Sequence, residues 1–273
     1  IKPLSPLPTS LNASGKLEER IQCILFDVYG TLFISGSGDI SLARQQTRHI
    51  QKLKNLLSRY QIKKKPQIVL DDFFTAIDIE HKRLSKTGVD FPEVEIDRIW
   101  AHVLEIEELD AVRAVAVEFE LMVNPVYPMP NLESMLSSLK KINVLMGIIS
   151  NAQFFTPYLF NWFLNSSPED LGFKPDLIFY SYKSGHAKPS PFMFDAAAKN
   201  LRNMDIPVHS VLYIGNDMLN DIYPAKTVGF KTALFAGDAR SLRLRENHPQ
   251  CQSLYADIVI TDLIQVLNYI RTS

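Results

Sequence analysis

Ile21-Gln22-Cys23-Ile24-Leu25-Phe26-Asp27-Val28-Tyr29-Gly30-Thr31-Leu32 decides the reading of this chain: an apolar run delivers one carboxylate and then breaks at once into a Gly-Thr turn. Ile24, Leu25 and Phe26 lack the polar alternation of a half-buried strand. Such a run fits a strand covered on both faces, as in the parallel sheets of α/β proteins, where ligands sit beyond the carboxyl ends of strands. Asp27 stands at that end. Taken alone it reads equally as a helix cap or a turn residue, the commoner fate of an Asp after a strand.

Three later segments shift the balance toward chemistry. Ser150-Asn151 closes the apolar run 144–150, Lys188-Pro189 precedes a helix-like stretch, and Gly215-Asn216-Asp217-Met218-Leu219-Asn220-Asp221 follows the run 211–214. In this order, with Asp27 to Leu32 ahead of them, they resemble the four motifs of the haloacid dehalogenase-like hydrolase superfamily over residues 21 to about 270. The resemblance implies an α/β fold: a Rossmann-like doubly wound parallel sheet carrying an inserted all-helical cap.

The order of elements agrees with that division. Residues 1–18 read as an irregular arm, and 32–39 as a short apolar piece that could fold over the site as a hairpin flap. From 40 to about 124 the pattern is helical, with a first helix capped by Asp39 or Ser41, then helices over 71–84, from 93 to 101 or beyond, and over 111–122. A block of consecutive helices in an otherwise alternating chain reads as an insertion. The domains expected are therefore the arm, a core of 19–38 and 125–273, and a helical cap of 39–124. Within the core, helices are expected over 132–141, 191–201, 221–228 and 263–270, and strands over 144–150, 177–181, 211–214, 231–235 and 258–260.

Composition removes other classes. The 273 residues are 46% hydrophobic and 22% charged with a formal net charge of -1, enough apolar content for a sizeable core and no electrostatic footprint for nucleic acid or a membrane surface. Lys63-Lys64-Lys65 reads as a solvated loop. No apolar run approaches the ~20 residues of a membrane helix, and Ile1-Lys2-Pro3-Leu4-Ser5-Pro6 lacks the apolar segment of a secretory leader. Cys23 and Cys251 lie far apart, with no sign of a disulfide framework, so a cytoplasmic protein acting on a small molecule is expected.

The resemblance also assigns roles. Asp27 is the implied nucleophile, since a carboxylate can form an ester that water later removes, and Lys188 supplies positive charge beside it. Tyr29, Thr31, Ser150 and Asn151 are the implied substrate contacts, Gly30, Asn220 and Asp221 support the motifs, and His186 sits at the pocket edge at best. Mg²⁺ is the implied cofactor, held by Asp27, the backbone carbonyl of Tyr29, and Asn216 or Asp217. Two departures stand out: Asn216 occupies the place where the family's phosphatases usually carry a metal-binding Asp, and Tyr29 the place of their general acid.

The acidity of residues 215–221 favours a Mg²⁺-dependent phosphatase of a small phosphorylated metabolite, working through an aspartyl-phosphate. Tyr29, with Arg44 or Arg48 as an early cap cation, supports the alternative, a metal-independent 2-haloacid dehalogenase working through an aspartyl ester. A catalytically weak relative that binds a phosphorylated ligand is the third possibility.

Overall fold

The computed structural model describes residues 3–36 and 48–270. Asp39, Ser41, Arg44 and the helix start expected near residue 40 lie outside the described residues, and Arg48 is described only as backbone. The described residues form a seven-stranded sheet: β1 (Ser14–Gly15), β2 (Cys23–Phe26), β5 (Leu145–Ser150), β6 (Phe173–Tyr180), β7 (Val211–Gly215), β8 (Lys231–Phe235) and β9 (Ile258–Ile260), in the spatial order β1-β9-β8-β7-β2-β5-β6. All pairings are parallel except that of β1 with β9. This is the Rossmann-like α/β core expected from the sequence.

β2 is fully buried and lies between β5 and β7. The chain winds from β2 to β5 and β6 on one side, then crosses back to β7, β8 and β9 on the other. Asp27 therefore leaves the sheet at a topological switch point, where a crevice opens between diverging connections. Packing on the two faces is separate: Phe26, Ile148, Ile214 and Phe235 join one apolar cluster, while Cys23, Leu25, Ile149 and Tyr213 join another with Phe194 and Leu201. Cys23 and Cys251 are buried free thiols.

Between β2 and β5 the chain makes α1 (Arg48–Arg59), α2 (Pro66–Ser85), α3 (Ile96–Leu104) and α4 (Leu109–Val123), then α5 (Leu132–Lys141). The first four pack round their own cluster, with Leu53, Trp100 and Val112 at its centre and Phe73 stacked on Trp100 at 4.3 Å between ring centroids. Phe154 and Phe155, which follow β5, complete this cluster from the core side.

Several sequence expectations need correction. The segment after Thr31 is no local hairpin: β3 (Phe33–Ser35) pairs antiparallel with β4 (Val126–Pro128), and all of β3 is buried. The two strands tie the exit from the core to the return from the helices, with the Ser35 hydroxyl donating to Asn124 Oδ1 at 2.9 Å. The arm is not wholly irregular, because β1 extends the sheet edge. α2 begins at Pro66, whose fixed φ and missing N–H suit a first turn, so the lysine run leads straight into a helix. Lys64 there donates to the Val103 carbonyl and pairs with Glu105. β6 begins earlier than its apolar residues indicate; Pro175 is tolerated because β6 is an edge strand. The expected helix over 221–228 is a π-helical turn, Met218–Ile222, followed by α9 (Tyr223–Thr227), and the last helix is a 3₁₀ turn, Leu263–Tyr269. α6 (Thr156–Leu164), α7 (Ser181–Ser184) and α8 (Phe192–Asn203) complete the elements; α6 escaped notice because its aromatic residues surround it rather than line one face.

Candidate active site

Asp27 begins the turn after β2, its N–H donating to the Ile214 carbonyl at 2.9 Å, which carries sheet pairing one residue further. Gly30 turns the chain with φ +83°, and a Cβ there would lie 2.6 Å from Ser241 Cβ. The Asp27 carboxylate is 6% exposed, and its contacts converge on one oxygen. Oδ1 accepts from Ser150 Oγ at 2.8 Å and from Lys188 Nζ at 2.7 Å. Among the described residues no hydrogen bond reaches Oδ2, and the residue lines a cavity of about 420 Å³. One oxygen is thus held by two donors while no described hydrogen bond holds the other.

Lys188 is held from every side. Its Nζ donates to Asp27, to Asp221 Oδ1 at 2.6 Å, and to Tyr213 Oη at 3.1 Å. Burial alone would lower its pKa, but Asp221 and Asp27 outweigh that and hold the ammonium above its ordinary value. Asn151 fixes the backbone of Lys188: its Oδ1 accepts from Lys188 N at 2.7 Å and its Nδ2 donates to the Lys188 carbonyl at 3.2 Å. Asp221 is equally committed, with Oδ1 on Lys188 and Tyr213 and Oδ2 accepting the N–H groups of Asn216 and Asp217. Burial raises its pKa to about 6, opposed by Lys188. A Cβ on Gly215 would lie 2.4 Å from Asp221 Cγ, so a glycine is required there.

These contacts reassign several expected roles. Ser150 is fully buried and orients Asp27; the Asn151 side chain positions Lys188; Thr31 is fully buried and donates to Asn216 Oδ1 at 3.1 Å. Tyr29 does line the cavity, but its hydroxyl shares a 2.9 Å hydrogen bond with Thr156, and burial, with Glu120 nearby, pushes its pKa far up. His186 stacks on Phe192 and lies 3.4 Å from Asp90, and it is not among the residues lining the cavity. Asn220 donates through Nδ2 to Asp217.

Two of the donors the sequence drew for Mg²⁺ already carry protein partners. Asp217 caps the turn after β7 by accepting from Leu219 and Asn220 N–H groups, and Arg245 lies across its carboxylate at 2.6–3.2 Å. Asn216 is committed at both ends, to Thr31 and to the Ser241 carbonyl. Asp221 has no oxygen to spare. Asp27 Oδ2 carries none of these bonds, and we derive no step through a cation.

Sequence reading missed the residues after β8. Residues 236–245 return across the site, where Arg243 N donates to the Asn216 carbonyl and Met218 N to the Arg243 carbonyl, both at 2.9 Å. Ser241, Arg243 and Arg245 line the cavity with Asp27 and Lys188. The signal was present as Arg240-Ser241-Leu242-Arg243-Leu244-Arg245, basic residues just past a strand's carboxyl end. From the helical side the cavity is closed by α2 and α4. His81 has an Nε2 that is buried without a hydrogen-bond partner, and burial lowers its pKa. Glu120 is raised to about 7 by burial, opposed by its bond from Asn124.

Comparison with known proteins defines the class. A family model for haloacid dehalogenase-like hydrolases matches residues 21–229. The chain belongs to that family and is a hydrolase. None of the curated proteins matches it. Among solved structures, it is similar to a 2-haloacid dehalogenase from Pseudomonas syringae, at 18% identity and TM-score 0.53 over 91% of this chain and 97% of that one. It is similar also to a phosphatase of the family from Thermococcus onnurineus, at 13% identity and TM-score 0.55 over 93% and 99%. A predicted phosphoglycolate phosphatase from Haemophilus somnus gives 15% identity and TM-score 0.51 over 93% and 100%. At these identities the likeness shows the fold alone, and the named activities belong to those proteins.

Proposed function

We propose that this hydrolase is a phosphatase of a small phosphorylated metabolite, acting through an aspartyl-phosphate on Asp27. The observation that carries the reading is the carboxylate with Oδ1 fixed by Ser150 and Lys188, in a cavity also lined by Arg243 and Arg245. A volume of about 420 Å³ exceeds what a haloacid of a few heavy atoms would fill.

Asp27 Oδ2 attacks phosphorus, the bond to the leaving oxygen breaks, and water then cleaves the acyl phosphate to regenerate the carboxylate. Lys188 offsets charge gathering on the phosphoryl oxygens. With Tyr29 tied to Thr156, no proton donor stands where the family's phosphatases place one. Its absence costs roughly 10² to 10⁴ in rate for a poor leaving group, so acyl and aryl phosphates are the favoured class. The α1–α4 block acts as a cap over 39–124 that selects the rest of the substrate, and the protein works in the cytoplasm.

Phosphate release from acetyl phosphate and an aryl phosphate, with Mg²⁺ and with chelator, tests this reading. Release lost in Asp27→Asn supports it; no release under any condition refutes it. Tyr29, together with carboxylates already committed to protein partners, favours a second reading as a metal-independent 2-haloacid dehalogenase. Halide release from 2-haloacids, abolished by Asp27→Asn, would establish that instead.

A further inference from the structure

β7 is buried along its whole length, and on apolar grounds a phenylalanine would serve there as well as Tyr213 does. A tyrosine hydroxyl taken out of water costs free energy unless it finds a partner. Tyr213 finds three. Its proton lies between the Ile149 carbonyl and Asp221 Oδ1, each 2.9 Å away, and its oxygen accepts from Lys188 Nζ at 3.1 Å. Burial, with Asp221 and Asp27 nearby, holds the phenol well above its ordinary pKa, so the group keeps that proton. The carbonyl alone would satisfy a buried hydroxyl; the two charged partners exceed what burial requires.

The fold fixes where this hydroxyl stands. Tyr213 pairs in register with Leu25 of β2, and its ring meets Phe194 of α8 at 4.9 Å between centroids. From β7 the side chain reaches Ile149 in β5, so one hydroxyl ties together the two strands that flank β2 and its Asp27.

An ammonium has three N–H donors. Three acceptors lie within 3.1 Å of Lys188 Nζ: Asp221 Oδ1 at 2.6 Å, Asp27 Oδ1 at 2.7 Å and Tyr213 Oη. The Ile149 carbonyl is a distant fourth at 3.4 Å. Two carboxylates therefore compete for one cation, and the neutral oxygen takes the proton that neither holds. The Lys188 side chain is only 3% exposed, so bulk water is no substitute for that oxygen.

We propose that Tyr213 is a positioning residue for the reaction at Asp27: its hydroxyl takes the third Lys188 proton and keeps the ammonium on Asp27 Oδ1 instead of letting it turn to Asp221. This role rests on Asp27 being the nucleophile, as in the phosphatase reading. Tyr213 itself touches no substrate and transfers no proton.

Steady-state kinetics of the full chain on an aryl phosphate, or on a 2-haloacid if halide is what Asp27 releases, tests the role, with rates counted per folded molecule. Tyr213→Phe removes one oxygen and keeps the ring. It should lower kcat by about tenfold and leave KM within about twofold, because the lost bond is to a charged group beside the nucleophile. In a Lys188→Met background the same change should cost less than about twofold, since a residue acting through Lys188 then has nothing to position. A packing role would cost the same in both backgrounds. Equal cost in both, an unchanged kcat, or a change confined to KM overturns the proposal and leaves Asp27-dependent turnover standing. Should Lys188→Met fail to fold or to turn over, the split between kcat and KM in Tyr213→Phe decides. Release of neither phosphate nor halide that depends on Asp27 overturns the proposal and the phosphatase reading together.

Discussion

The floor and the roof of the cavity are built on opposite plans. On the floor nearly every polar atom is spoken for: Lys188, Asp221, Asn216 and Asp217 exchange bonds at 2.6–3.1 Å, and among the described residues Asp27 Oδ2 is the oxygen left over. On the roof, His81 Nε2 is buried without a partner, and Glu120 keeps one described bond, from Asn124. The floor is pre-organised around one reactive atom, as a reaction common to many substrates requires. The roof holds polar groups whose partners a particular substrate would have to supply. Floor and roof belong to separate structural units joined by the β3–β4 pair.

Asp27→Asn should break the floor's function most severely. Turnover should fall by roughly 10⁴-fold or more, as for loss of a nucleophile, measured as phosphate or halide release. Lys188→Met comes next, losing about 10³-fold in kcat and about 3–5 kcal/mol of stability in denaturant, since Asp27 and Asp221 would face each other in a buried site without their cation. A loss no larger than that of a surface lysine would show that the floor is not the coupled unit described.

Glu120→Gln tests the roof through pH. Its carboxyl moves from an ordinary 4.5 to about 7 in the folded protein, so the fold favours the protonated form. Its stabilising contribution is full below 4.5 and is lost as pH rises toward 7, because the folded state binds a proton that the unfolded state has released. Melting curves from pH 4.5 to 8 should show this decline in the native protein and less of it in the variant. Tyr29→Phe should have the smallest effect, leaving turnover of an aryl phosphate within about threefold, because the hydroxyl serves Thr156 and not a leaving group. A loss approaching the general-acid range would return Tyr29 to the chemistry.

The sequence disclosed the floor's residues better than their duties. Asp27, Ser150, Lys188 and Asp221 were legible because buried parallel strands read as unbroken apolar runs, and the motif residues stand at their ends. Asn151 and Thr31 were recognised as belonging to the site, but only coordinates reveal that their side chains hold Lys188 and Asn216. Asp217 was read as acidity available for a metal; its partner Arg245 lies 28 residues further on, a separation no local pattern reveals. β6 and α2 were misjudged at their starts through prolines, which the sequence offers as breakers and the fold uses at an edge and in a first helical turn.

The N-terminal arm bears on how the protein should be handled. Leu7 N donates to Asp238 Oδ1, Ala239 N to the Leu7 carbonyl, Thr9 Oγ1 to the Ala236 carbonyl, and Arg240 reaches the Ser5 carbonyl. The arm is therefore laced to residues 236–240, just ahead of Arg243 and Arg245 in the chain. Cutting away residues 3–9 as a dispensable tail, or crowding them with a purification tag, would slacken the arginines from the rear while leaving every residue that touches the cavity in the chain.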